Sequence, residues 1–156
     1  MRFFFKKIIM NKKYLPFTLP LLILGTILML MGLGWIFSSE PWMLDKFANE
    51  QRLNMKFDKL FEAEINSTLP GYLKQIYRFF GLWVFIIGLF ISSFSRKQLI
   101  ENKNLRLTLL SCISILVYFG MFMAYWLIPT SPFIFLGWLA VILHSISLFA
   151  HFKILN

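Results

Sequence analysis

Cysteine is almost absent: Cys112 is the only one and falls inside an apolar run, so there is no intramolecular disulfide and no Cys-x-x-Cys pair. Thiol oxidoreductase chemistry of the usual membrane kind is thereby excluded. Histidine is nearly as scarce, at His144 and His151. Seven residues span about 10 Å along a helix, too far for both to reach one ion at about 2 Å, so no metal site is expected. Haem would need a partner subunit or a different axial ligand. Acidic residues number seven against sixteen Lys and Arg, and none lies within a long apolar run. That argues against a proton-driven antiporter, which needs a titratable carboxylate in its path. The chain also lacks a nucleophile elbow, a phosphate-cradling glycine loop and a His-Glu-x-x-His sequence. No catalytic residue and no cofactor are expected, and the chain reads as a non-enzyme.

What it has is apolar surface. Hydrophobic residues make up 58% and aromatics 19%, and the mean hydropathy is +0.70. A soluble domain of 156 residues could not hide that much from water, so lipid is the expected solvent. Four apolar runs, 15–37, 77–95, 105–128 and 132–150, each have the length to cross a core of about 30 Å at about 1.5 Å per residue. The sequence predicts one membrane domain over 1–156. Its fold class is all-α integral membrane, a four-transmembrane-helix up-down bundle with an external amphipathic helical segment, 39–70, between the first two spans.

Charge sets the expected orientation. Arg2, Lys6, Lys7, Lys12 and Lys13 precede the first span, and Arg96, Lys97, Lys103 and Arg106 lie between the second and third, opposed only by Glu101. In 38–74, Lys46, Arg52, Lys56, Lys59 and Lys74 nearly cancel Glu40, Asp45, Glu50, Asp58, Glu62 and Glu64, while 129–131 carries no charge. By the positive-inside rule both termini and the 96–106 loop are cytoplasmic. Basic residues then meet anionic headgroups, and nucleic acid is not an expected partner. Trp35, Tyr77, Trp83, Tyr125 and Trp126 fall near the outer ends of their spans, as an aromatic belt would. The first span resembles a signal peptide in its basic start, but the apolar run is too long and lacks a small-residue cleavage pattern, so an uncleaved span is expected. No lipid-anchor signal is read. An abundance of Phe, Ile, Lys and Asn suggests a bacterial coding sequence, hence a multi-pass protein of the bacterial inner membrane.

In the outer segment, Ser39-Glu40-Pro41 has the composition of a helix start. Leu53, Phe57, Leu60, Phe61 and Ile65 recur at helical spacing, predicting an amphipathic helix that ends in Asn66-Ser67-Thr68-Leu69-Pro70-Gly71. Asp45 and Asp58, set among lysines, read as a solvated face. Glu64 and Arg78 form a candidate outer-edge charge pair; the alternative is a frayed, wet Glu64 and a snorkelling Arg78. Asn66-Ser67-Thr68 matches a glycosylation acceptor and reads as chance in a bacterial protein.

Inside lipid, helices associate through small residues and hydrogen bonds, so such residues mark interior faces. Thr18, Gly25 and Gly32 repeat every seven in the first span; Gly81 and Gly88 do so in the second, continued by Ser92 and Ser95. Ser111, Ser114, Tyr118 and Tyr125 share one face of the third span, and Gly137, Ala140, His144, Ser147 and His151 one face of the fourth. Antiparallel pairing about Thr130 predicts a Tyr118–His144 hydrogen bond with Ser114 or Ser147 nearby, a candidate polar cluster of Ser114, Tyr118, His144 and Ser147. His144 is expected to be neutral within the packing. His151, with Lys153, is expected to face headgroups or cap the negative helix end.

Gly32-Leu33-Gly34, the amphipathic stretch and Arg78-Phe79-Phe80-Gly81 together resemble, over residues 1–95, small DoxX-like four-helix bacterial membrane proteins. The resemblance implies a place beside quinone-associated redox systems or in complex assembly, although redox cysteines and cofactor ligands are missing here. Two functional expectations follow. One is a non-enzymatic inner-membrane protein acting by lateral helix association, as an accessory or assembly subunit with a membrane-protein partner or as a homo-oligomer. The other is binding or transport of an apolar small molecule, lipid or quinone in a pocket near Tyr118 and His144.

Overall fold

The structure, a computed structural model, describes residues 13–155, with backbone alone for Lys97, Gln98 and Leu155. Arg2, Lys6, Lys7 and Lys12 of the basic leading segment lie outside the described residues. Every regular element among the described residues is helical: α1 (Leu15–Phe37), a 3-10 turn (Pro41–Asp45), α2 (Lys46–Leu53), α3 (Phe57–Glu62), a second 3-10 turn (Glu64–Asn66), α4 (Leu69–Phe94), α5 (Lys97–Ile100), α6 (Lys103–Ser114), a π-helical turn (Ile115–Phe119), α7 (Gly120–Leu127) and α8 (Phe133–Leu155). Four stretches, Leu15–Phe37, Glu64–Phe94, Lys103–Leu127 and Phe133–Ile154, are long and apolar enough to cross a membrane. Their outward faces carry large apolar groups, with Phe37 77%, Ile115 70% and Phe135 78% exposed. A water-soluble monomer rarely presents so much contiguous grease. The exposed hydroxyls of Thr26 and Ser145 donate to the carbonyls of Leu22 and Val141, four residues back on their own helices. That satisfies a polar group where lipid offers no partner.

The tightest packing joins α1 to α4 through the glycines. Gly25 lies against Gly88 and Ser92, and Gly32 against Gly81 and Phe85, so the two helices run antiparallel. A Cβ on Gly88 would sit 2.5 Å from the Gly25 carbonyl oxygen and 2.8 Å from the Met29 nitrogen; on Gly32 it would sit 2.6 Å from the Gly81 oxygen and the Phe85 nitrogen. These neighbours are backbone and cannot swing aside, so only glycine permits the approach. On its other flank α1 buries Phe17 and Leu21 completely, and the Ser147 hydroxyl of α8 donates to the Phe17 carbonyl at 3.0 Å. Pro20, three residues on, lacks the N–H that would bond the Pro16 carbonyl.

Boundaries differ most from the sequence reading in two places. The second membrane-crossing helix starts at Leu69 rather than 77, because Pro70 falls in its first turn, where a missing N–H costs nothing; Gly71 is carried into the helix. The fourth continues to Leu155 rather than 150. Between α1 and α4 the expected single amphipathic helix is broken. Asn54 adopts a left-handed φ of 50° and closes α2, and the Glu50 carboxylate accepts the Phe57 N–H to open α3. Phe57 is buried against Trp42 and Phe61, whereas Leu53 is exposed and Ile65 is 91% exposed, so the apolar stripe does not survive as one face. Ser38, not Ser39, holds the chain start here, accepting the Glu40 N–H at 3.2 Å.

Candidate functional site

His144 is fully buried, and α6, the π-helical turn and α8 converge on it. Its Nε2 lies 3.3 Å from the Leu110 carbonyl oxygen and 3.0 Å from Ser114 Oγ, and its Nδ1 lies 3.2 Å from the Tyr118 hydroxyl. A carbonyl only accepts, so the contact with Leu110 assigns a proton to Nε2, and the Tyr118 hydroxyl engages Nδ1. Both ring nitrogens are thus engaged. Of the candidate cluster, Ser114, Tyr118 and His144 meet; Ser147 is turned away to Phe17. The π-helical turn at Ile115–Phe119 sets the rotation of Tyr118 toward α8.

One end of the helices is closed by a group that sequence reasoning misplaced. Arg106 is buried in the first turn of α6 rather than lying in a basic loop. Its Nε donates to His151 Nδ1 at 3.3 Å, its Nη1 to the carbonyls of Ile100 at 2.6 Å and Glu101 at 3.2 Å, and the guanidinium lies 5.7 Å from the centre of the Tyr14 ring. Arginine is always a donor, so His151 is an acceptor at Nδ1. His151 is therefore a packed partner of Arg106 and does not face headgroups; Lys153 lies instead 4.8 Å from the Phe149 ring centre.

Two apolar clefts lie toward the opposite end. The first, about 220 Å³, runs between α1, α7 and α8, with Leu24, Leu28, Val117, Gly120, Phe133 and Ala140 among its walls. The second, about 480 Å³, separates α7 from α4 and is walled by Phe80, Val84, Ile87, Met123 and Leu127. Leu28, Leu116, Gly120 and Ala124 belong to both, so the clefts adjoin across α7. A Cβ on Gly120 would meet nothing within 4 Å. His144 lines neither cleft; Val117, next to Tyr118 in the chain, and Ala140, one turn before His144, are on the wall of the first.

Above the first cleft, Asp45 and Trp35 are buried, at 8% and 5% exposed. The Asp45 carboxylate accepts the hydroxyl of buried Ser131, whose oxygen accepts the Phe133 N–H at 3.2 Å. Burial raises the Asp45 carboxyl above its ordinary 3.8, and the Ser131 bond partly opposes that. Asp45 Oδ1 and Trp35 Nε1 are both buried without a hydrogen-bond partner. The Trp35 ring packs 5.0 Å from both the Phe80 and Phe133 rings. Beside this, the Asn49 amide donates to the Trp42 carbonyl and the Tyr77 hydroxyl, each at 3.0 Å. Asp45 is thus no solvated acid. Pro41, Trp42 and Asp45 are the buried residues of their 3-10 turn, and the apolar Pro-Trp pair was the signal in the sequence.

The expected aromatic belt divides likewise: Trp83, Tyr125 and Trp126 are exposed, whereas Trp35 and Tyr77 turn inward. Glu64 and Arg78 do not pair. Both are exposed, because Glu64 opens the separate Glu64–Asn66 turn while Arg78 points outward from α4; among the described residues an ion pair joins Lys46 to Glu50 at 3.7 Å. Compared with protein families, curated proteins and solved structures, the chain matches none of them.

Proposed function

We propose that this chain is a non-enzymatic, multi-pass protein of the bacterial inner membrane that binds an amphiphile, holding its apolar tail in the paired clefts around Gly120. The observation that carries this reading is the clefts themselves. The larger, about 480 Å³, is of the size of small-molecule sites, about 300–1,000 Å³. Each wall residue is apolar, and the π-helical turn that contributes Leu116 and Val117 is an irregularity of the kind common at functional sites. In this reading the helices form an up-down bundle with the basic segments in the cytoplasm and the 38–68 segment outside. The pocket lies beside, not at, the Tyr118–His144 bond.

Lateral association has less to draw on. The small-residue seams that motivate it, Gly25 with Gly88 and Gly32 with Gly81, are taken up by α1 packing on α4. A DoxX-like accessory role remains the contrasting outcome of the test. A phospholipid carrying a photoreactive group in its acyl chain, irradiated with the protein in nanodiscs, is expected to label Leu116–Leu127 and Phe133–Ala140. Gly120→Leu, whose Cβ enters open space, is expected to abolish that labelling. Uniform labelling of all lipid-facing residues, unchanged by Gly120→Leu, contradicts the proposal.

A further inference from the structure

A third cleft, about 280 Å³, opens between the outer helical segment and the first turns of α4, and it shares no residue with the two around Gly120. The left-handed turn at Asn54 ends α2 just before α3 begins, and both short helices contribute walls: Asn49, Arg52 and Leu53 from α2, Phe57 and Leu60 from α3. Leu73 and Tyr77, one turn apart on α4, face them across the cleft. Asn49 ties the two sides together, giving its amide hydrogens to the Trp42 carbonyl and the Tyr77 hydroxyl at 3.0 Å each. The Tyr77 oxygen accepts that bond, so its own O–H is left to donate, and among the described residues nothing accepts it. Arg52 is the one charged residue of the wall. Among the described residues no carboxylate answers it, since neighbouring Glu50 is held by Lys46 and by the Phe57 N–H.

Two donors in the wall of an apolar groove are complementary to an anionic head on an apolar tail. We propose that this groove binds a single-chain carboxylate amphiphile, a long-chain fatty acid, with the carboxylate on the Arg52 guanidinium, the Tyr77 O–H as a second donor and the alkyl chain along Leu53, Phe57, Leu60 and Leu73. Charge selects the head: one guanidinium balances a monoanion, and its planar fork matches the two oxygens of a carboxylate. Size selects the tail, because about 280 Å³ lies at the foot of the range of small-molecule sites, about 300–1,000 Å³, and suits one chain rather than the two of a phospholipid. Position agrees with both. The groove lies at the first turns of α4, part of a stretch long and apolar enough to cross a membrane, and the end of such a stretch is where amphiphile heads meet water. Leu53, 47% exposed in the open groove, is covered when the chain is seated.

The test uses the full chain in phosphatidylcholine nanodiscs at mildly alkaline pH, irradiated with a fatty acid that carries a diazirine in its tail or with the matching fatty alcohol. At equal, subsaturating concentration the acid is expected to label residues 53–60 and 69–73 about tenfold more than the alcohol does, the scale of a hydrogen bond to a charged group. Arg52→Gln is expected to bring the acid down to the alcohol's level, Arg52→Lys to keep part of the preference, and Tyr77→Phe to lower it by a few fold. Arg52 is exposed, so its replacement leaves the fold in place. Unlabelled lauric acid should compete, whereas acetate, which has the head without the tail, should not. Equal labelling by acid and alcohol, or acid labelling unchanged in Arg52→Gln, overturns the assignment, as does competition by acetate matching that of laurate. Gly120→Leu should leave this labelling intact, because the groove and the clefts share no wall; a groove that fails while Gly120→Leu still blocks the clefts falls alone, and loss of groove labelling in Gly120→Leu overturns it as a separate site.

Discussion

Replacing His144 with leucine takes the imidazole partner from exposed Tyr118, half-buried Ser114 and the carbonyl of buried Leu110. The expected loss is about 1–3 kcal/mol, measured by thermal or denaturant unfolding in detergent. Lipid retention should be unaffected, because His144 has no free nitrogen and lines neither cleft; lost retention at unchanged stability would make it a ligand-binding residue instead. Asp45 should show itself through pH. Its carboxyl is raised above 3.8, so the folded protein holds the proton where the unfolded chain has released it. Stability falls as pH climbs from the unfolded value toward the raised one and stays lowered above it. Asp45→Asn removes this penalty, so its Tm should gain on the wild type's from pH 4 to pH 7 in lipid-free detergent; a constant gap counts against a buried carboxyl. His144 was legible in the sequence because it shares a helical face with small residues and stands opposite Tyr118 across a short turn. Arg106 and Asp45 were not. Each sits among exposed charges in the chain, and only the tertiary fold turns the Arg106 guanidinium onto His151 and the Asp45 carboxylate onto Ser131.

At the scale of elements, the α1–α4 seam carries the clearest prediction. Gly88→Ala places a methyl group on the Gly25 carbonyl and the Met29 nitrogen, and should destabilise by about 1–3 kcal/mol or more. Gly71→Ala, on α4 with open space around it, should be neutral or slightly stabilising, since alanine is the better helix former. Comparable unfolding temperatures for the two variants would contradict the packing. Periodicity revealed this seam, because a glycine every seven residues on both helices has few other uses in a span. Periodicity misled in the outer segment, where Leu53, Phe57, Leu60, Phe61 and Ile65 fit one helix on paper. The left-handed turn at Asn54 and the packing of Trp42 on Phe57 and Phe61 split it in two, and neither leaves a mark on hydrophobic spacing. The π-helical turn is equally silent in sequence, as its residues are ordinary helix-forming apolar ones.

For the whole molecule, four helices long and apolar enough to cross a membrane follow from length and hydropathy, and that much was plain in the chain. The clefts were not, since they depend on how far α7 stands from α4. In the proposed topology, single cysteines introduced at Thr130 and at Asn104 in a Cys112→Ser background should be labelled by an impermeant maleimide from opposite sides of the membrane; labelling from one side would refute the up-down order. The central claim concerns what the clefts hold, and native mass spectrometry of the full chain, extracted gently from its own membrane, reads it most directly. A solitary chain carrying a retained amphiphile that Gly120→Leu expels is the predicted result. A chain free of small molecules but joined to a stoichiometric protein partner would contradict it.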